Sequence, residues 1–314
     1  MYQSDRLVRK QKSRFKTRCW RNRYIYLMIL PVFIYFVLFN YWPMGWLSIA
    51  FFDFKMLRGF AGSEFVGLEN FLDFFRGIYF WRTIGNTIIL NIYSLLFVFP
   101  TSIVFALLLN EVVNIRFKKI IQTVSYLPHF ISTVVLIGLI TSFLSPSFGL
   151  LGKLFNWLGM DPVYFLGEPK YFRAINVISG IWQTTGWNAI IYLSAITGID
   201  QELYEAVTVD GGGRFRRIWH ITLPGIKSTI LILLILQIGR LLGANFEKVL
   251  LLQNDLNLSV SELLPTYIYK AGMIKGKYSF STAVGLFNSV ISVLLVMTSN
   301  WLSKKVSDDK TGIF

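Results

Sequence analysis

The chain has 314 residues, of which 54% are hydrophobic, 17% aromatic and only 15% charged, against roughly a quarter charged in ordinary globular chains. That composition leaves too little polar surface to face water, and a single cysteine, Cys19, excludes a disulfide scaffold. The net charge of +14 invites a nucleic-acid reading, but nine of the 31 Lys and Arg precede residue 24, directly ahead of an apolar stretch. Cations placed there set topology and meet anionic lipid. The sequence predicts an all-α integral membrane protein with lipid contacts and no nucleic-acid partner.

Six stretches have the ~20 mostly apolar residues that a crossing needs. The first, about Tyr24–Tyr41, is too long and aromatic for a signal-peptide core, and no small-x-small site follows it, so it reads as an uncleaved span. The others are about Asn86–Leu109, Ile120–Phe143, Ala174–Thr197, Ile226–Ala244 and Phe280–Leu302. Pro31, Pro100 and Pro128 fall inside the first three, as spanning helices tolerate. Residues 149–158 predict a short amphipathic helix on the outer surface, broken by Asp161-Pro162. The segments 1–23, 110–119, 198–227 and 303–314 hold 19 Lys and Arg, and the longer loops 46–82, 145–173 and 244–279 hold 11. The positive-inside rule then places both termini inside. The organisation expected is a basic cytoplasmic segment over 1–23, a six-helix domain over 24–303 and a short cytoplasmic tail over 304–314. Cys19 is a reduced cytoplasmic thiol in this reading.

The chemistry of most enzyme classes is missing. His129 and His220 lack a ligand-spaced Cys, Asp or Glu cluster, so no metal site is expected. There is no GxxxxGK[ST] or GxGxxG, so the chain itself is not expected to bind ATP, and no GxSxG elbow marks a nucleophile. Carboxylates are confined almost wholly to loops, which opposes an intramembrane proton relay. A membrane-embedded transferase would need a catalytic carboxylate or His cluster at the membrane face, and none is seen. No catalytic residue is assigned.

The loop between spans four and five, about 198–225, is unusually organised. Asp200 is placed to cap a helix that Glu202 and Glu205 favour at its start. Gly211 to Gly213 end that helix, and Pro224 suits the first turn of the next. A structured, charged inside loop is a docking surface for a soluble partner.

Within this loop stand Glu205-Ala206-Val207, then Gly211, then Ile221-Thr222-Leu223-Pro224. The pattern resembles the EAA motif of the permease subunits of binding-protein-dependent ATP-binding-cassette importers: EAA, three residues, Gly, nine residues, Ile-x-Leu-Pro. Val207 in place of the second alanine is the one departure. Asn86-Thr87, Gly149 with its two following leucines, Trp182 with Gly186, Thr266 to Tyr269 and Tyr278 to Phe287 resemble the carbohydrate-uptake branch, polysaccharide and oligosaccharide type, over about residues 24–303. The resemblance implies a type I importer permease fold in the bacterial cytoplasmic membrane. It also implies a second homologous permease, an extracytoplasmic solute-binding protein, and two ATPase subunits that hold ATP and Mg. The loop would be the coupling helix, with Glu205 and Asp210 as polar contacts and Ala206, Val207 and Gly211 at the seat. Ile221, Leu223 and Pro224 would tie it to span five. A non-sugar solute is the alternative cargo.

Span four is the most polar. At 100° per residue, Gln183, Trp187, Asn188 and Tyr192 share a broad arc with Thr184, Thr185 and Ser194, while Gly186, Ala189, Ile190 and Leu193 form an apolar arc suited to lipid. The polar arc serves either a sugar pathway or bonding between helices. Arg240, roughly 21 Å from the cytoplasmic end of span five at 1.5 Å per residue, either snorkels outward or faces a cavity with Gln237 and Ala244. A guanidinium fork in a cavity would suit a sugar carboxylate.

Overall fold

The computed structural model describes residues 20–243 and 245–306. The basic run up to Arg18, Cys19, Ala244 and residues 307–314 lie outside the described residues.

The unbroken apolar run after Arg23 makes one continuous helical stretch to Phe51: α1 (Arg23–Phe36), a π turn (Val37–Tyr41) and a tight 3-10 segment (Trp42–Phe51). Pro31 sits inside α1 without ending it, and the helix runs ten residues past the predicted end. Almost every side chain along it is exposed, and only Ile49 and Ala50, at its far end, are buried. A two-residue antiparallel pair, β1 (Phe52–Asp53) with β2 (Glu64–Phe65), and the short α2 (Glu69–Arg76) follow.

The predicted span two is one continuous helix of α3 (Phe80–Tyr93), a π turn (Ser94–Val98) and α4 (Phe99–Asn110), with Pro100 just past the π turn. Span three is not the continuous helix expected. α5 (Ile115–Tyr126) runs into a 3-10 turn at Leu127–Phe130, and α6 (Thr133–Leu144) leaves at 100° to it. Pro128 removes a backbone donor, and Ser132 starts a new helix by accepting from the Val135 N–H at 3.4 Å. The amphipathic helix α7 (Leu150–Trp157) forms where predicted but ends at Gly159, whose φ of 71° only glycine adopts freely, ahead of Asp161-Pro162.

The 29-residue α8 (Pro169–Thr197) covers the predicted span four. After it come α9 (Gln201–Val209), α10 (Arg214–Arg217), a π turn (Ile218–Thr222), α11 (Leu223–Gly225) and α12 (Lys227–Gly239), with a 60° bend before α12. Span five therefore stops at Gly239, short of the predicted Ala244, and Arg240 caps it. Three short helices, α13 (Phe246–Leu252), α14 (Leu258–Ser261) and α15 (Leu264–Tyr269), fill the segment before α16 (Tyr278–Val306), which covers the predicted span six. Among the described residues three helices are long and apolar enough to cross a membrane, or five if each bent pair counts as one. The polar α8 is not among them, although it has the length.

The centre of the molecule is the packing of α4 on α8. Ala106 and Leu109 meet Ala189, Tyr192, Leu193 and Ile196, with Ile226 closing the cluster. This corrects one expectation: the small apolar arc of span four is buried in protein, not turned to lipid. Gly186 shows why. A Cβ there would lie 2.1 Å from the Ser125 carbonyl oxygen, so only glycine permits α5 and α8 to approach this closely.

Candidate substrate cavity and coupling loop

In the loop after span four, the Asp200 carboxylate accepts from the Glu202 N–H at 3.0 Å and starts α9. The helix closes in a Schellman turn: the Gly212 N–H reaches the Val207 carbonyl at 2.8 Å, the Gly211 N–H reaches Thr208 at 3.1 Å, and Gly211 takes a φ of 71°. Glu205, Ala206, Asp210, Gly211 and Pro224 are exposed, Val207 and Leu223 half-buried, and Ile221 buried. The last two turns of the loop are held to α9 by a hydrogen bond of 3.0 Å between the Tyr204 and Thr222 hydroxyls.

Two features of this loop had no single sequence signal. Val209, Phe215 and Trp219 are 87%, 90% and 68% exposed, an apolar set on a charged loop, as a docking face requires. Glu111, just past the end of α4, lies 3.8 Å from the Arg214 Nε and 4.0 Å from an Arg217 Nη, beside a cavity of about 390 Å3. The loop is thereby tied to span two as well as span five.

Four of the six pathway residues meet around one cavity of about 280 Å3: Asn188 and Tyr192 from α8, Gln237 at the end of α12, and Arg240 just beyond it. Val98, Phe99 and Ser102 of span two form the opposite wall. Arg240 has no side-chain hydrogen bond or ion pair among the described residues, so its guanidinium remains free to bind. The other two residues lie elsewhere. The Gln183 amide donates to the Ile131 carbonyl at 3.3 Å. Trp187 stacks on His129, with centroids 4.5 Å apart and planes 3° from parallel, and meets Phe130 edge-on. Both brace the turn of span three. Sequence periodicity placed them on the right arc but could not show that the arc is shared between a cavity and a neighbouring helix.

Lys248 was legible only as a charge in an outer loop. It is buried on α13 in the segment between spans five and six, where its Nζ donates to the Asn176 carbonyl at 2.7 Å. No carboxylate is paired with it among the described residues, and burial pulls its pKa from 10.5 down to about 7.

Residues 98–308 match the family of binding-protein-dependent transport system inner membrane components. The chain belongs to this family. It is a permease subunit, and the family description places it in the inner membrane. The permease is 44% identical over 306 residues, covering 98% of this chain and 95% of the relative, to the polygalacturonan/rhamnogalacturonan transport system permease protein YteP of Bacillus subtilis. A solved bacterial ABC transporter that imports the acidic polysaccharide alginate contains a chain that superposes with a TM-score of 0.88 at 39% identity, covering 94% of this permease and all of that chain. A second structure, of the bacterial alginate transporter with its periplasmic protein carrying an alginate pentasaccharide, gives a TM-score of 0.86 at 39% identity, covering 95% and 99%.

Proposed function

We propose that this permease forms half of the membrane channel of an oligosaccharide importer, with uronate-bearing sugars as cargo. A second homologous permease supplies the other half, an extracytoplasmic solute-binding protein delivers the sugar, and two cytoplasmic ATPase subunits hold ATP and Mg. The observation that carries the reading is the cavity between α4, α8 and α12. Asn188 and Gln237 offer amide donors and acceptors to hydroxyls, Tyr192 offers a ring edge, and the unpaired Arg240 offers a planar fork matched to a carboxylate. The names of the relatives above support the same cargo.

In this mechanism the chain crosses the membrane six times with both termini inside, and α9 is the coupling helix. Glu205 and Asp210 make polar contacts with an ATPase, Ala206 and Gly211 permit its close approach, and the half-buried Val207 packs at the margin. Ile221, Leu223 and Pro224 carry the motion into α12. Closure of the ATPases then rocks the spans and alternates access to the cavity. The chain itself performs no chemistry and binds no nucleotide.

The test is ATP hydrolysis by the complete complex in vesicles, driven by binding protein loaded with an acidic oligosaccharide or with its carboxyl-reduced counterpart. The acidic sugar stimulates hydrolysis, and Arg240→Gln lowers that stimulation about tenfold, the scale of one charge-assisted hydrogen bond, while sparing the reduced sugar. Equal stimulation by both sugars, indifferent to Arg240→Gln, would remove the arginine from the pathway. An assembled complex that no sugar stimulates would point to another solute.

A further inference from the structure

A second cavity, of about 440 Å3, lies between span two and the outer end of α8, with Tyr93 and Phe97 on one side and Lys170, Arg173 and Val177 on the other. At 100° per residue, the α8 residues that line it and those that line the inner cavity fall within one arc of roughly 140°. Gln183 and Trp187 fall outside that arc, in agreement with their contacts on span three. The two cavities therefore lie one above the other along a single face of the same helix.

The outer cavity is charged in one sense only: no carboxylate lines it. Arg173 uses one Nη to donate to the Asn86 side-chain oxygen at 3.3 Å, and its Nε is buried with no hydrogen-bond partner. A buried donor left unmet costs free energy, and Arg173 as a whole is half-buried and lines the cavity, so an acceptor there can reach its guanidinium. Lys170 stands at the rim, 3.7 Å from Glu168 with both side chains exposed, a pairing that solvent screens. Two aromatic rings complete a wall suited to sugar faces.

We propose that this groove is an outer binding site for an acidic sugar unit, occupied before the inner cavity, with Arg173 as the residue that takes the carboxylate. It rests on the oligosaccharide reading above and adds a site to it. A uronate held there pairs with the part of the guanidinium that the Asn86 contact leaves exposed and stands on the same helix face that leads to Arg240. Specificity for acidic cargo is then imposed twice along one helix.

The experiment uses the complete complex in vesicles of zwitterionic lipid, with and without anionic lipid. The binding protein carries a five-unit oligogalacturonate or the same oligosaccharide with its carboxyls reduced. Arg173→Gln is expected to raise the concentration of acid-loaded binding protein needed for half-maximal ATPase stimulation about tenfold. The reduced sugar should be unaffected, and Arg173→Lys should restore most of the loss. An equal effect of Arg173→Gln on both sugars would make the residue a structural brace to Asn86 and overturn the site. An effect that follows anionic lipid content and not sugar charge would assign the groove to a phospholipid headgroup instead. If the wild-type complex responds to no oligosaccharide, the sugar reading itself fails and the outer site falls with it, whereas a wild-type response to acid sugar that Arg173→Gln leaves unchanged rejects the outer site alone.

Discussion

At the scale of single residues, burying the Lys248 ammonium is costly. A buried ammonium with one carbonyl acceptor, and no carboxylate partner among the described residues, carries a desolvation cost that a single hydrogen bond does not offset. Burial lowers its pKa to about 7 in the folded protein, against 10.5 when exposed. Between those two values the unfolded chain binds a proton that the folded chain does not, so stability rises with pH across that window. Below about 7 both states are protonated and the penalty is present in full; above 10.5 both are neutral and it has vanished. Lys248→Met should therefore raise the thermal midpoint of the detergent-solubilised protein most at pH 6, with the gain shrinking progressively toward pH 10. A gain that is constant with pH would mean that Lys248 keeps its ordinary pKa in the folded protein, its ammonium solvated or otherwise compensated throughout. No sequence signal marked this residue, because burial of a loop cation depends on α13 folding back against α8, a tertiary event that local charge counting does not register.

At the scale of elements, the coupling loop is the part most legible in the sequence, because its order is local: a capping carboxylate, a glycine stop and a proline restart all act within a turn of themselves. The 3.0 Å cap at Asp200 and the Schellman turn at Gly211 follow directly from that grammar. Glu205 stands one turn from apolar Val209 on α9, both exposed, with Phe215 exposed on α10, and Glu205 has no ion pair or side-chain hydrogen bond among the described residues. Glu205→Lys should leave membrane insertion and thermal stability within error of wild type, since an exposed substitution away from a cap changes stability little. The same change should abolish co-purification of the ATPase and uptake; normal uptake in that variant would remove α9 from the coupling role. Elements that depend on distant partners were read less well. Periodicity alone made span three one helix, since hydropathy does not register the 100° turn that Pro128 and Ser132 produce together. It likewise carried span five through Arg240, where the helix instead ends and frees the guanidinium into a cavity. For span four the period was right and the environment wrong: small residues at Gly186 and Ala189 signal close helix contact as readily as lipid exposure, and Gly186 here sits against the backbone of α5.

At the scale of the whole molecule, the exposure of the first helical stretch is the feature that composition explains. The side chains from Tyr24 to Trp46 are nearly all exposed and apolar, an arrangement that water would not tolerate and that lipid or a second permease satisfies. In the proposed orientation the 19 cations of the inside segments outnumber the 11 of the outside loops, chiefly through the nine that precede span one. The bent span three and the polar span four must each cross once for both termini to share a side. Single cysteines introduced at Ser4, Asp200 and Ser307 into a Cys19→Ser background should react with a membrane-impermeant maleimide only after the cells are opened. Cysteines at Ser63, Asp161 and Asp255 should react in intact cells from which the outer barrier, if any, has been stripped. Labelling of Asp200→Cys from outside would invert the loop that carries Glu205 and with it the whole coupling assignment. Labelling of Asp161→Cys only from inside would show that span three turns back without crossing, and five crossings would then place the C-terminus outside. Neutralising six of the first nine cations should weaken the bias enough to yield mixed labelling at Asp200→Cys, because the remaining segments differ too little between the two sides to hold the orientation by themselves.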